Sequence, residues 1–395
     1  MTAAPAPASA TADSLATQKT YHLDYADWDP ADPASASSRR FIASLQEAMV
    51  GHGFFYLFNS PLSHGPRREG MYDVVSRFFA LPLEARQRIT IDRSPHFRGY
   101  TAFGDETTQN RQDLRDQVDF GPHAPEPLPR TRDEIEGRAE KTNWKNLIGP
   151  NQYVPDDEVP GFERTVRQWF HEASRVSEGL TEAVECALGV ERGRLGSYIK
   201  GKDHDEGRYQ YARMKIIRYP PGQQVDGVQR DAHSRQGVGA HKDSGWLTLL
   251  STSPVDGLEV QDLHGRWINV PYLAGSIVVN FGQQFENLSH GLIQSATHRV
   301  ISNPSSVAPR YSVAWFSFPA LDTVFARPLA DDEIGDDIKR HYERLRGGWD
   351  VVSDVEKGDL FAKFGEEFGE VAWKGLVRSH QGVVRRWYPH LVVQS

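Results

Sequence analysis

Seven short β-rich runs lie close together between residue 208 and about residue 318, and they restrict the fold of this chain more than any other feature. In order, they read MKIIRY, WLTLLST, LEVQ, RWINV, SIVVNF, HRVIS and YSVAWFSF. Turn-forming residues separate the runs, among them Pro220-Pro221-Gly222, Asp256-Gly257 and Asn303-Pro304. Short strands at such close spacing predict an all-β sandwich or barrel.

Helical patterns flank the β-rich stretch on both sides. Arg39–Val50 has apolar residues at helical spacing, and the buried strand FFYLF follows it. A second helix is predicted in MYDVVSRFFAL before Pro82, and a long amphipathic helix fits Phe162–Leu188. After about residue 330, the segments DEIGDDIKRHYERL and DLFAKFGEEF return to a helical pattern. The predicted fold class is therefore mainly β with flanking helices.

No linker-like segment interrupts the chain after its first residues. Residues 1–20 are rich in Ala, Pro, Ser and Thr, a composition typical of disordered tails. We therefore predict a tail over 1–20, a helical N-terminal region over 21–207, a β core over 208–320 and a C-terminal helical segment over 321–395. The last three are expected to form one structural unit from 21 to 395.

Charge and cysteine content narrow the classes of function. The net charge of −8 and a pI near 6.0 argue against nucleic acid as a partner, since a basic face is its usual counterpart. The single cysteine, Cys186, excludes an intrachain disulfide and a cysteine-based zinc site. We find no secretory signal and no apolar stretch of about 18 residues, so we expect a cytoplasmic protein without a membrane span. The sequence does not set the oligomeric state.

The stretch GVGAHKDSGWLTLL contains a pair suited to metal binding, His241 and Asp243. On an extended strand, residues i and i+2 point to the same face, so the imidazole and the carboxylate would project together into a barrel. In a chain with 15 histidines, the same pair is also compatible with a surface histidine beside an acid.

A third ligand must come from elsewhere in the chain. His298, at the head of a later β-rich run, is the candidate, and His290, His264 and His233 are rivals by position. Two histidines and one carboxylate on one face of a metal leave positions open for other ligands, as in non-haem Fe(II) oxygenases.

The last β-rich run adds Arg310 and Ser312, which are again two residues apart. A guanidinium beside a hydroxyl on one face of a strand is well suited to bind a carboxylate. The alternative is a surface arginine in a salt bridge.

Taken in order, the motifs of the chain resemble the isopenicillin N synthase-like family of 2-oxoglutarate and Fe(II)-dependent oxygenases. The N-terminal part contributes GHGFFYLFN, SRFFALPLEAR, FRGYTAFGDE and DQVDFG. GPNQYVPD and the long helix follow, and then MKIIRYPPG, AHKDSGWLTLL, GLEVQ, WINVP, VVNFG, ATHRV and RYSVAWF. The resemblance covers about residues 20 to 390 and implies a double-stranded β-helix, or jelly-roll, core.

The resemblance also implies the roles of individual residues. His241, Asp243 and His298 match the catalytic Fe(II) ligands, and Arg310 and Ser312 match the pair that binds the distal carboxylate of 2-oxoglutarate. Tyr219 matches a tyrosine that often adds a hydrogen bond to that carboxylate. Ile217 and Arg218 depart from the plant pattern, in which Asn and Tyr are common at these positions. O2 would be the second cosubstrate, and ascorbate is a candidate reductant.

The reaction implied by the resemblance is oxidation of a small molecule, by hydroxylation, desaturation or cyclisation, with succinate and CO2 as coproducts. Specialised metabolism is the setting that such relatives often have. Two alternatives stay within the family: an oxidase that uses no 2-oxoglutarate, and an ethylene-forming type of reaction. Outside the family, the same three ligands could bind zinc for hydrolysis, although Arg310 and Ser312 would then have no role.

Substrate contacts are expected in the RGYTAFG loop, where Arg98, Tyr100 and Phe103 are the candidates. The alternative is that these residues only pack the loop. The C-terminal segment RSHQGVVRRWYPH could close over the pocket or cap the barrel.

Overall fold

The computed structural model describes residues 20–109, 111–122, 143–200, 210–221, 224–225, 228–229, 235–302, 306–325, 327–346 and 365–391. Its strands are β1 (His22–Asp24), β2 (Phe54–Phe58), β3 (Gly99–Thr101), β4 (Thr107–Thr108), β5 (Arg111–Gln112), β6 (Asp116–Phe120), β7 (Ala212–Tyr219), β8 (Gln224–Val225), β9 (Val228–Gln229), β10 (Gln236–His241), β11 (Leu247–Thr252), β12 (Leu258–Gln261), β13 (Trp267–Asn269), β14 (Ser276–Phe281), β15 (His298–Ile301) and β16 (Arg310–Ser317).

The helices of the described residues surround these strands. They are α1 (Ala36–Val50), α2 (Pro66–Ala80), α3 (Leu83–Gln87), α4 (Phe162–Leu188), α5 (Gly196–Lys200), α6 (Gln283–Leu288), α7 (Asp336–Arg346), α8 (Phe368–Ser379) and α9 (Gln381–Trp387).

Two sheets form the centre of the structure. The major sheet has eight strands in the order β1-β2-β14-β11-β16-β7-β6-β3, and the minor sheet has four in the order β10-β15-β12-β13. All neighbouring pairs are antiparallel except β1 and β2. The expected jelly-roll core, mainly β with flanking helices, is confirmed.

Alternation along the major strands divides their side chains between two apolar cores. One face packs against the minor sheet through a cluster that includes Tyr56, Ile217 and Tyr219 from the major sheet and Val260 and Val300 from the minor one. We call this the barrel face. Because successive side chains of a strand point to opposite faces, the residues between them lie on the outer, helix-covered face.

The helix α4 covers the outer face and has a buried residue at nearly every third or fourth position. These residues are Phe162, Val166, Trp169, Ala173, Val176, Leu180, Ala183, Val184 and Ala187. Each large apolar side chain buried in this way contributes about 1.5–3 kcal/mol. The helix ends at Gly189, whose positive φ of 72° allows the chain to turn away.

The helix predicted over Phe162–Leu188 is confirmed at both ends, and α1 and α7 form where helical spacing predicts them. The region 21–207 is not only helical, however, because it also supplies β1, β2, β3 and β6 to the major sheet. The division at 207 and 320 therefore stays a prediction. Residues 1–19 of the predicted tail and most of DLFAKFGEEF lie outside the described residues.

No helix among the described residues has the length and apolar character needed to cross a bilayer.

Candidate active site

His241 and His298 face each other across neighbouring strands of the minor sheet. They end β10 and begin β15, pair in register, and place their ring centroids 4.2 Å apart. In each ring, Nδ1 lies within hydrogen-bond distance of a backbone carbonyl two residues earlier, Gly239 O at 2.8 Å and Ala296 O at 3.0 Å. A carbonyl acceptor places the proton on Nδ1 and leaves the Nε2 lone pair available to a metal.

Asp243 lies beyond the end of β10, in the turn to β11. The prediction that His241 and Asp243 share one extended strand is therefore wrong, because the strand ends at His241. Two strands of the major sheet position the carboxylate instead. Thr248 Oγ1 on β11 donates to Asp243 Oδ2 at 2.6 Å, and Asn280 Nδ2 on β14 donates to the same oxygen at 2.8 Å.

The backbone around Asp243 is fixed by a close approach of two turns. Gln283 N donates to Asp243 O at 2.8 Å, and Gly282 N donates to Trp246 O at 2.9 Å. A Cβ atom on Gly282 would lie 2.1 Å from Gly245 O, so only glycine fits at this crossing. The turn that carries Asp243 is thereby held against the N-terminus of α6.

The other carboxylate oxygen, Asp243 Oδ1, faces both imidazoles. It lies 3.8 Å from Nε2 of His241 and 3.8 Å from Nε2 of His298, and one ligand atom from each residue falls within a 4.8 Å cluster. Ligands about 2.1 Å from one metal lie about 3 Å apart when they are adjacent, so a small inward movement would place all three on one ion. Two nitrogens and one carboxylate on one side fit a divalent cation with open positions.

The protonation states also suit a metal. Burial and then the nearby His298 lower the pKa of His241 to about 3, so its ring is neutral near pH 7. Burial by itself would raise the pKa of Asp243, but the two imidazoles and the two hydrogen bonds hold it below its ordinary value. A neutral imidazole and an ionised carboxylate are the forms that bind metal.

Arg310 and Ser312 begin β16, and both lie on the barrel face with Tyr219. Arg310 pairs in register with Tyr219 on β7, and Ser312 pairs with Ile217. The guanidinium carbon of Arg310 lies 5.1 Å from the centre of the Tyr219 ring. The Tyr219 hydroxyl also interacts with the Arg310 and Arg115 side chains.

Arg310 is a buried cation with unused hydrogen-bonding capacity. Its residue is only 5% exposed, and its Nε has no hydrogen-bond partner among the described residues. Burial lowers the pKa of this guanidinium, although Tyr219, Tyr72 and Asp256 oppose that shift. A planar, buried guanidinium in this state fits a carboxylate ligand, so this end of the barrel suits an anionic cosubstrate.

The residues predicted as substrate contacts lie in different places. Tyr100 is on the outer face, where its hydroxyl donates to Asp116 at 2.9 Å and accepts from Arg86 at 2.6 Å. Arg98 is fully buried and donates to Leu147 O at 3.0 Å. Phe103 is 3% exposed and packs with Leu114. The assignment of these three residues as substrate contacts stays a prediction.

His290 and His264, the described rivals of His298 as third ligand, do not belong to the cluster formed with His241 and Asp243. His290 follows α6 and places Nε2 3.0 Å from Leu329 O, and His264 lies in the turn between β12 and β13. His233 lies outside the described residues. The C-terminal segment brings His380 beside the barrel end of β6 and β7, and Tyr388 stacks on Phe97 with ring centroids 6.1 Å apart.

Sequence reasoning missed the residues that hold the site. Thr248 and Asn280 each stand between apolar neighbours in a largely buried strand, and this interruption of the apolar run was the available signal. Arg115, Glu106, Gln117 and Lys215 were also missed, since their contacts depend on strand pairing between β6 and β7.

Two family models match the chain. The model described as non-haem dioxygenase in morphine synthesis N-terminal matches residues 23–169, and the 2OG-Fe(II) oxygenase superfamily model matches residues 208–319. Among curated proteins, the 2-oxoglutarate-dependent dioxygenase frbJ of Dothideomycetidae sp. (strain 11243) is 28% identical over 363 residues, which is 89% of each chain. The homoarginine-6-hydroxylase 2-ODD-C23 of Glycine max is 28% identical and covers 83% of this chain and 92% of its own.

Solved structures share the fold. A 2OG-Fe(II) oxygenase family protein of Caulobacter crescentus superposes with a TM-score of 0.64 at 21% identity, over 92% of this chain and 99% of the other. A full-length Neurospora crassa protein in complex with alpha-KG and thymine superposes with a TM-score of 0.60 at 21% identity, over 83% of this chain and 96% of the other.

Proposed function

The chain belongs to the superfamily of 2-oxoglutarate- and Fe(II)-dependent oxygenases, and we propose that His241, Asp243 and His298 bind its Fe(II). It is an oxidoreductase that uses Fe(II) and 2-oxoglutarate and acts on a small molecule. The observation that carries the ligand assignment is the convergence of two imidazole nitrogens and one free carboxylate oxygen within 4.8 Å.

We further propose that Arg310, Ser312 and Tyr219 bind the distal carboxylate of 2-oxoglutarate. Support comes from their common face at one end of the barrel and from the unsatisfied Arg310 Nε. Among the described residues, the Arg310 and Arg115 guanidinium groups interact with the Tyr219 side chain, and guanidinium groups can only donate hydrogen bonds. The hydroxyl oxygen therefore accepts from them, and its proton is left to donate to a carboxylate.

Bound Fe(II) supplies the chemistry that couples O2 reduction and decarboxylation of 2-oxoglutarate, to succinate and CO2, with oxidation of the substrate. The protein residues provide binding and orientation. The two Nδ1–H groups stay on backbone carbonyls and keep both Nε2 atoms directed at the ion, while Thr248 and Asn280 keep one oxygen of Asp243 away from it. The apolar barrel face around Ile217 and Val260 excludes water from the cosubstrate.

The finer properties of the protein are also proposals. We propose a hydroxylation, desaturation or cyclisation of a small substrate in specialised metabolism, since similar proteins include 2-oxoglutarate-dependent dioxygenases of fungi and a homoarginine-6-hydroxylase. The net charge of −8 supports the absence of nucleic acid as a partner. A cytoplasmic location, without membrane association, suits a ferrous site and a single cysteine.

The ligand assignments are tested together on protein purified without oxygen. We expect Asp243→Ala to lose Fe(II) and with it succinate formation, because the only anionic ligand is removed. We expect Arg310→Ala to keep Fe(II) but to raise the Kd for 2-oxoglutarate by about 30-fold or more, the usual cost of removing a buried charge partner. Iron is measured by metal analysis and 2-oxoglutarate by calorimetric titration.

The control is Arg385→Ala, which removes an exposed arginine of α9. Full iron content in Asp243→Ala would refute the triad, and an unchanged 2-oxoglutarate affinity in Arg310→Ala would refute the carboxylate site. Substrate oxidation without succinate in the unaltered enzyme would instead indicate an oxidase that takes all electrons from its substrate.

A further inference from the structure

A group of polar side chains lies on the barrel face beyond the proposed 2-oxoglutarate site. Gln117 and Asp119 on β6 pair in register with Ile217 and Lys215 on β7, and Glu106 reaches them from the loop before β4. We call Glu106, Gln117, Asp119 and Lys215 the polar floor. Lys215 lies four residues before Tyr219 on β7, and alternate residues of a strand point to the same face. Its side chain therefore lies on the barrel face, which Arg310 and Ser312 share.

The acidic members of the polar floor are well satisfied. Glu106 accepts from Arg115 Nη2 at 2.9 Å and from Gln117 Nε2 at 3.0 Å. Asp119 accepts from Arg213 through one oxygen and from Gln117 Nε2 at 2.8 Å through the other. Burial would raise the pKa of Glu106, but the Lys215 and Arg115 cations hold it well below its usual range, so it is ionised at neutral pH.

Lys215 is the member with unused donors. Its ammonium carries three N–H groups, yet its described polar neighbours are Glu106 Oε1 at 3.4 Å and Asp119 Oδ1 at 3.8 Å. Its side chain is 19% exposed, whereas those of Asp119 and Arg213 are 0% and 8% exposed. The ammonium is thus partly exposed and has donors that the described residues do not use.

Two further polar atoms beside Lys215 also lack partners among the described residues. Gln117 Oε1 is buried and accepts no hydrogen bond there, and the same holds for Thr101 Oγ1 on the neighbouring strand. Thr101 pairs in register with Gln117, so both side chains lie on the barrel face. Buried polar atoms without partners are rare, and a cluster of them at the edge of a site marks a place for ligand or water.

A continuous set of contacts joins the polar floor to the metal ligands. Gly239, whose carbonyl orients His241, donates its N–H to Asp113 Oδ1 at 3.3 Å. Asp113 lies 3.5 Å from Arg115, and Arg115 donates to Glu106 at 2.9 Å. The β4–β5 hairpin between Glu106 and Asp113 packs on β10, so one wall of the same barrel carries His241 and the polar floor.

Distances along the major sheet set the size of the intervening space. Lys215 pairs with Ala314, and Thr248, which holds Asp243, pairs with Phe316. The strands β7 and β11 lie on either side of β16, so two interstrand spacings separate them, and Thr248 is shifted along the strands by two residues relative to Lys215. Together these place the Cα atoms of Lys215 and Thr248 roughly 12 Å apart. Because side chains leave a sheet roughly perpendicular to its plane, the side chains of Lys215 and Thr248 stand on the same face at a separation of this order, which is the length of a small molecule.

We propose that Lys215 binds an anionic oxygen of the primary substrate, such as a carboxylate, and that Glu106 positions the ammonium for it. The inference rests on the proposed function, because it takes the oxidised carbon to lie over the metal. Glu106 also accepts from the Arg115 guanidinium, and its contact with Lys215 is long, at 3.4 Å, so Lys215 keeps N–H donors for a ligand. In a desolvated site, an ammonium with free donors binds an anionic oxygen in preference to a neutral one.

The test compares carboxylic acids with their own primary amides, which match them in shape and lack the charge. The probes are hexanoate, 3-phenylpropionate, indole-3-acetate and N-acetylphenylalanine, each with its amide. Binding is measured by calorimetry on the enzyme loaded with Fe(II) and 2-oxoglutarate under argon. We expect at least one acid to bind about tenfold or more tightly than its amide.

Three variants assign that preference to a residue. Lys215→Met should abolish the preference for the acid, Lys215→Arg should retain part of it, and Lys374→Met, at an exposed lysine of α8, should keep it whole. The Kd values for Fe(II) and 2-oxoglutarate are measured in the same proteins and should stay within about twofold of the unaltered enzyme.

The proposal is overturned if no acid of the panel is preferred to its amide, or if the preference survives in Lys215→Met. Failure of the proposed function gives a different result, since the unaltered enzyme would then not bind 2-oxoglutarate with Fe(II). If an acid displaces 2-oxoglutarate, it has bound at Arg310 instead. Such a result would contradict the proposal that Lys215 binds the acid.

Discussion

At the residue scale, each residue of the candidate metal site uses one side-chain atom as a metal ligand and another for a hydrogen bond that orients it. Each imidazole has one nitrogen on a backbone carbonyl and the other directed at Asp243, and Asp243 has one oxygen held by Thr248 and Asn280. This division leaves one ligand atom per residue and fixes the direction from which each approaches. The proposed metal affinity therefore depends on residues that never touch the ion.

The hydroxyl of Thr248 tests that dependence. In Thr248→Val, the 2.6 Å hydrogen bond to Asp243 is lost while the side-chain shape is kept. Loss of such an orienting partner typically weakens metal binding by about 10- to 100-fold, and we expect a loss of that size in Fe(II) affinity. Anaerobic Fe(II) titration measures it. Thr248→Ser, which keeps a hydroxyl, should bind Fe(II) nearly as well as the unaltered protein, and equal affinity in both variants would argue against a positioning role.

At the scale of elements, the junction of the two C-terminal helices brings His380 close to the charged side chains of the polar floor. His380 lies between α8 and α9, its Nδ1 is 2.7 Å from Ser379 Oγ, and its ring centroid is 5.7 Å from that of Phe97. The charged side chains that it faces are Arg213, Lys215, Asp119 and Glu106. Burial first, and then Arg213, lowers the pKa of His380 to about 4.

This pKa shift has a consequence for stability. The unfolded chain binds a proton at His380 near pH 6.5, but the folded protein does so only near pH 4, so the folded state loses stability as pH falls through this window. At pH 5 the loss amounts to at most about 2 kcal/mol. We expect His380→Gln to lose less unfolding free energy than the unaltered protein between pH 7.5 and pH 5.

Urea unfolding of the metal-free protein at the two pH values measures this difference, because metal release cannot then contribute. The exposed His390 provides the control, since His390→Gln should follow the unaltered protein. Identical pH dependence in His380→Gln and the unaltered protein would show that the histidine is not buried in its neutral form.

At the scale of the whole molecule, distant parts of the chain are tied together by Arg346, the last residue of α7. Its Nε donates to Val50 O at the end of α1 at 2.8 Å, and its Nη1 donates to Gly291 O at 3.2 Å. One buried side chain thus joins the N-terminal helix, the loop after α6 and the C-terminal segment. This contact supports our prediction of one structural unit from 21 to 395.

Removal of that side chain should therefore destabilise the fold without touching the site. In Arg346→Met, the buried carbonyl of Val50 and the partly buried carbonyl of Gly291 lose a donor, and we expect a loss of about 1–3 kcal/mol in unfolding free energy. Arg344→Met, at an exposed position of the same helix, should change it by less than about 0.5 kcal/mol. Chemical unfolding measures both, and a similar effect in the two variants would mean that Arg346 does not tie the parts together.

The sequence by itself determined the elements and the chemistry of the ligand set. Helical spacing placed Phe162–Leu188 correctly, and the β-rich runs placed β7 and β11 to β16, because periodicity is a local property of the chain. The strand β10, which ends at His241, was not predicted by these runs. The residue types of His241, Asp243, His298 and Arg310 carried the metal and carboxylate hypotheses for the same reason. A side chain keeps its chemistry wherever the fold puts it.

Only the tertiary structure decided which side chains meet. Asp243 is oriented by strands that lie 5 and 37 residues further along the chain, and Lys215 meets Glu106 across 109 residues. Tyr100, a substrate candidate in the sequence, lies on the outer face, because the register of β3 on β6 pairs it with Val118. Strand register assigns every side chain to one face or the other, and this register is set by pairing between distant segments rather than by the local sequence.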